Sequence, residues 1–182
     1  FLYMFLMGIS RMLHGVHFPQ DVVLGWLLGI ALVILFIWAE KKVLSKLVTI
    51  TFAQSLGISI LVSVVLIGIG FIAAPDLKGI ENMVTPIAVL AGAIPALYLE
   101  VRYINFSTSG SIGQKVLRYL LGIITVLLIK EGMKPVLGLF NDGNIIMVVL
   151  TRYVRYFLVG IWVVVGAPWL FVKCRLAGVE NK

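Results

Sequence analysis

The sequence predicts an all-α protein, a polytopic bundle of transmembrane helices, on three observations. Of its 182 residues 61% are hydrophobic and 13% charged, against about 45–50% and about a quarter in soluble domains. A globule of this size cannot hide that much apolar surface, so the surrounding solvent is lipid. The apolar residues also fall into long runs, close to the ~20 residues a helix needs to cross the hydrocarbon core. Finally, the net charge of +7 is scattered between those runs and forms no single patch. In a soluble protein that charge would suggest nucleic acid. Here it reads as membrane topology, with membrane lipids as partners and no nucleic acid.

The elements follow in order. The chain opens at Phe1 with FLYMFLMGI, already apolar, and shows no basic segment, apolar core and cleavage site of a secretory signal. It is expected to begin partway through a transmembrane helix, as a fragment. Between Asp21 and Glu40 lie 18 uncharged residues, the clearest span, with Pro19 ahead of it where a first-turn proline is tolerated. EKKVLSK is expected as a loop, followed by a span near residues 53–74 inside a charge-free stretch from Leu47 to Pro75. PDLKGIE reads as the next loop. A span over about residues 84–100 contains Pro86 and Pro95, which membrane helices tolerate when neighbours satisfy the freed carbonyls. RYINFSTSGSIGQK reads as a polar loop. A shorter span near residues 116–133 has Arg118 and Lys130 close to its ends, placed to snorkel. Residues 135–144 carry an Asn-Asp-Gly turn signal, residues 145–172 form the last span, and the tail KCRLAGVENK is polar.

Orientation follows from the basic residues. If the first full span runs inward, segments 40–53, 100–118 and 173–182 face the cytoplasm. They hold Lys41, Lys42, Lys46, Arg102, Lys115, Arg118, Lys173, Arg175 and Lys182, nine against six for the outer side. This asymmetry puts Arg11 and His17 on the extracytoplasmic face of a plasma (inner) membrane. Cys174 is the single cysteine, so neither a disulfide nor a cysteine metal site can form within one chain. Tyrosines and tryptophans near span ends, such as Trp38 and Trp169, read as an interfacial belt.

The informative stretch is SRMLHGVHFPQDVVLG, residues 10–25. Arg, His and Asp are costly near a bilayer, and their presence at the mouth of an apolar helix is a functional hypothesis by default. Arg11 offers a planar fork of donors for phosphate oxygens. His17 stands just before a helix start, where free N–H groups and the dipole favour an anion, and an imidazole there can act as nucleophile or general acid/base. Asp21 can hold the second imidazole nitrogen, or it can simply be an N-terminal helix charge. Ser10 serves either the site or its own backbone. His14 reads as a loop or interface residue, and Gly15 and Gly25 as backbone or packing glycines. Arg152 and Arg155, three apart on one helical face, can meet an anionic head group near the site, but are expected to snorkel to the outer interface.

The pattern SR-x5-H-x3-D over residues 10–21 resembles the third signature motif of a known superfamily. It unites type-2 phosphatidic acid phosphatases, bacterial acid phosphatases, glucose-6-phosphatase and vanadium haloperoxidases. Four fixed residues recur by chance about once in 10⁵ start positions. Gly15, Pro19 and Gly25 are similar to the family as well. The resemblance implies that Arg11 binds phosphate, that His17 attacks phosphorus to give a phosphohistidine, and that Asp21 supports the histidine. It implies hydrolysis of a phosphate monoester or diphosphate, of a lipid or isoprenoid, with no cofactor and no metal. Residues 1–39 then resemble the C-terminal part of the phosphatase domain. Residues 40–182 look like additional helices of bacterial multi-span members, on YLEVRYINF and RYFLVGIWVVVGAPWLFVK.

Two further family motifs, KxxxxxxRP and PSGH, do not occur in these residues: there is no Arg-Pro pair, and the histidines are His14 and His17. Phosphoryl transfer needs several charges around the transferring group, so these 182 residues alone are expected to be inactive. The rival readings are a non-catalytic transporter or scaffold, which the scarcity of mid-span charges disfavours, and haloperoxidase chemistry, whose relatives are soluble.

Overall fold

The computed structural model describes residues 2–15, 18–73, 76–140 and 144–179, and nearly all of them are helical. Helices α1 (Leu2–Leu13) and α2 (Pro19–Thr49) make one compact unit, Phe1–Thr49. The second unit, Ile50–Lys182, holds α3 (Phe52–Ala73), α4 (Leu77–Leu99), α5 (Ile112–Gly138), α6 (Ile145–Ile161) and α7 (Ala167–Lys173). A π-helical turn, Glu100–Ile104, extends α4, and another, Trp162–Gly166, joins α6 to α7. Among the described residues, four rods are long and apolar enough to cross a membrane: Phe52–Ala73, Leu77–Ile104, Ile112–Gly138 and Ile145–Lys173. The chain is thus an all-α polytopic bundle, as expected.

Boundaries depart from expectation where helix propensity or a cap outweighs polar composition. EKKVLSK is not a loop: α2 continues through it to Thr49, since Glu, Lys and Leu are strong helix formers. PDLKGIE likewise supplies the start of α4. Asp76 caps it by accepting the Gly79 N–H (2.9 Å), which makes Glu81 a helical residue. A capping box of Ser111 and Gln114 starts α5, and that helix runs through Pro135 to Gly138. Asn144 caps α6 by accepting the Ile146 N–H (2.9 Å). The Asn141-Asp142-Gly143 turn signal lies outside the described residues.

In the second unit α4 packs against both α3 and α6. Ile80 and Val84 of α4 meet Val149 of α6, with Ile67, Phe71 and Tyr153 around them. Further along, a Cβ on Gly92 would overlap the carbonyl of Phe157, and one on Gly160 would overlap that of Val89. The two backbones therefore touch, an approach that glycine permits. On α3 the buried face is Ser55, Ser59, Ser63 and Gly70. Ser59 and Ser63 donate to the carbonyls of Ser55 (2.8 Å) and Ser59 (2.7 Å), which satisfies those hydroxyls within their own helix.

Arg118 does not snorkel. It is 7% exposed and donates to the carbonyls of Leu176 (2.8 Å), Thr108 (3.2 Å) and Ser109. Those carbonyls lie outside helices and need partners, so the guanidinium ties loop and tail to α5.

Candidate functional site

Within the first unit, the sequence motif falls where α1 ends and α2 begins. Helix α1 stops after Leu13, and Gly15 follows at φ +66°, its N–H donating to the Met12 carbonyl (3.0 Å). This is the left-handed cap that a glycine makes cheap. Pro19 is the first helical residue of α2, and Asp21 stands in its first turn. The Phe18 N–H donates to Asp21 Oδ2 (3.1 Å), one half of a capping box. Asp21 therefore has a structural duty that occupies one of its two oxygens.

Ring packing sets α1 against α2. Phe5 stacks on Trp26 at 5.3 Å between centroids. Gly8 is buried there, and a Cβ on it would overlap the Trp26 ring and Val22. Arg11 and Asp21 consequently line one open cleft of about 320 Å³, with Met4, Met7, Gly8, Val22, Gly25 and Trp26. The two charged groups share the cleft without pairing: the ion pairs among the described residues are Arg152–Glu81 and Lys130–Glu131. Arg11 is exposed, with its donors available to an anion entering from water. Ser10 is exposed and is not part of that lining. Its carbonyl accepts the His14 N–H (3.0 Å) and His14 Nδ1–H (2.8 Å), so His14 is tied back onto the end of α1. His17 lies outside the described residues. The structure thus brings Arg11 and Asp21 together, leaves Ser10 aside, and describes no geometry for the imidazole.

The second unit holds a charged cleft that joins Arg152 and Arg155 to Glu81 and Lys134, two residues the sequence reading did not connect with them. Arg152, expected to snorkel, instead reaches across to α4, since Glu81 lies inside that helix. Arg152 Nη2 pairs with Glu81 Oε2 at 2.8 Å, and Nη1 donates to the Glu81 carbonyl (3.3 Å) and the Thr85 hydroxyl (3.3 Å). One helical turn on, Arg155 places its guanidinium over the Tyr156 ring, 5.1 Å from the centroid. The signal that locates this cluster is Asp76, an N-cap residue three before Gly79, which moves the helix start ahead of Glu81.

Comparison with known proteins agrees with the motif. The family model described as PAP2 superfamily matches residues 1–45, which contain both Arg11 and Asp21. The one described as PAP2 superfamily phosphatase, transmembrane extension, matches residues 84–179, more than half of the chain. No curated protein and no solved structure matches it.

Proposed function

The chain belongs to the PAP2 superfamily of phosphatases, and from that premise we propose that it contributes Arg11, His17 and Asp21 to a phosphohistidine mechanism acting on a lipid or isoprenoid phosphate. The carrying observation is that Arg11 and Asp21 of SR-x5-H-x3-D line one cleft beside a helix start, with no ion pair to Arg11 among the described residues. Arg11 holds phosphoryl oxygens in its planar fork. An imidazole nitrogen of His17 attacks phosphorus, the bond to the leaving oxygen breaks, and that oxygen takes a proton. Water then attacks the phosphohistidine, releases inorganic phosphate and regenerates the imidazole. Asp21 orients the imidazole with the oxygen that Phe18 does not use. The apolar lining of Met4, Met7, Val22 and Trp26 suits a substrate whose head group is polar and whose tail is not.

The remaining cations of the phosphate clamp and the acid for the leaving group come from KxxxxxxRP and PSGH motifs, absent from these 182 residues. The 182-residue chain alone is accordingly inactive, and a gene product that also carries those motifs is active. Phosphate release from phosphatidic acid and from a polyisoprenyl diphosphate in mixed micelles tests this. Release by the gene product that falls at least about 10³-fold in His17→Gln supports the reading. Release by the 182-residue chain itself, or activity indifferent to His17, contradicts it.

The cleft faces the extracytoplasmic side in this proposal, with residues 173–182 in the cytoplasm. Cys174 is the single cysteine and is exposed, so it reports the topology directly. A membrane-impermeant maleimide labels it only after intact cells are permeabilised. Labelling of intact cells would invert the orientation.

A further inference from the structure

We infer that the second unit carries its own anion site, a cleft between α4, α5 and α6 that takes a phosphate group as a dianion. The cleft has a volume of about 350 Å³ and is less open than the one beside Arg11. Its charged lining is Lys134 from α5, Arg152 and Arg155 from α6, and Glu81 from α4. Glu81 neutralises Arg152 at 2.8 Å. Among the described lining residues, Lys134 and Arg155 are left as a formal excess of two positive charges. Glu131 is exposed, pairs with Lys130 at 3.2 Å and lies within electrostatic reach of Lys134 and Arg155, so the wider cluster, Lys130 included, still holds an excess of two positive charges.

Arg155 gives the second observation. Its Nε is buried and has no hydrogen-bond partner among the described residues. A guanidinium donor out of water and without an acceptor costs about 1–3 kcal/mol or more, a cost that an anion in the cleft removes. The site is also pre-set. Arg152 is fixed by three acceptors on α4, namely the Glu81 carboxylate, the Glu81 carbonyl and the Thr85 hydroxyl. Thr151 is held by its bonds to the Met147 (2.7 Å) and Val148 (3.1 Å) carbonyls. Arg152 and Thr151 thus need no ordering on binding, whereas the exposed Lys134 does.

The excess charge selects the ligand class. A single carboxylate would neutralise only one of the two cations and leave the cleft with a net positive charge. A phosphate monoester or inorganic phosphate near neutral pH carries about −1.5 to −2 and offers three oxygens. It meets both free cations, and a single group spans the Arg fork and the Lys point charge. The same chemistry arrives either as free phosphate or as the head of an anionic lipid such as phosphatidic acid. This inference is independent of chemistry at His17.

The test uses the full chain in phosphatidylcholine nanodiscs with Arg11→Gln, which silences the first cleft, so that a failure here is distinct from a failure of the phosphatase reading. One arm titrates inorganic phosphate at constant ionic strength and follows ³¹P line broadening. The other replaces a tenth of the lipid with phosphatidic acid and counts retained lipids by native mass spectrometry. Saturable binding in either arm, weakened at least tenfold by both Lys134→Met and Arg155→Met, supports the site, and the responding arm identifies the source. Lys134 is exposed, so Lys134→Met keeps the test valid even if Arg155→Met fails to fold. No saturable binding in either arm, or binding that survives Lys134→Met, overturns the inference.

Discussion

The two units each set an arginine and a carboxylate on neighbouring helices, and they use them in opposite ways. In the first, Arg11 and Asp21 line one cleft without pairing with each other, and Asp21 is occupied with capping its own helix. In the second, Arg152 closes on Glu81 at 2.8 Å, with side chains 24% and 25% exposed. A guanidinium that is to grip a substrate has to keep its donors open, and water at the mouth of a helix makes that affordable. One drawn between helices must be neutralised where it stands. Arg118 is the extreme of the second kind, with its guanidinium engaged by three carbonyls.

That contrast breaks most sharply under Arg11→Gln and Arg152→Gln compared side by side in the natural gene product. Arg11→Gln lowers phosphate release by about 10²–10³-fold, the range for removing one transition-state donor, and leaves the melting temperature in place. Arg152→Gln should do the reverse. If Arg152→Gln reduces turnover as strongly without unfolding the protein, the separation between a binding and a structural arginine fails.

The next effect concerns packing. Gly160→Leu or Gly92→Leu forces apart two backbones in contact and is expected to cost at least about 3 kcal/mol, read from unfolding in detergent. Gly25→Leu in the first cleft meets no atom within 4 Å at its Cβ and should be nearly neutral for stability. It should nevertheless lower activity, because it narrows the opening that it lines.

Removing one partner of the clamp is a smaller perturbation. Arg152→Met should destabilise by about 2 kcal/mol, between the values for exposed and fully buried pairs. A double-mutant cycle with Glu81→Gln should give a favourable coupling, and strict additivity would show the pair to be idle. Smallest are the helix caps. Asp76→Ala and Asp21→Ala should each cost about 1 kcal/mol. Only the second should also reduce turnover, by about 10–100-fold, as the loss of an orienting partner does.

The sequence disclosed these regions unequally, for physical reasons. That Arg11 and Asp21 lie close together is legible because both belong to one short motif whose spacing brackets a single helix start. Gly15 is legible for the same local reason, since a positive φ is a property of one residue. Gly92 and Gly160 are not, because each looks like any glycine in an apolar run until the two helices cross. Glu81 was hidden by the polar composition of PDLKGIE, although Asp76 carried the cap signal that makes that segment helical. Arg118 and Arg152 read as snorkelling cations because their acceptors, at Leu176, Thr108 and Glu81, are distant in sequence or on other elements.

The most direct test of the account is a covalent label. The natural gene product, mixed with phosphatidic acid or a polyisoprenyl diphosphate radiolabelled in the transferred phosphate and quenched within milliseconds, should carry an acid-labile, alkali-stable phosphoryl group on His17. The label should be absent from His17→Gln and much reduced in Arg11→Gln. A label of the same stability that persists in His17→Gln, or rapid phosphate release with no labelled protein at any quench time, would contradict it.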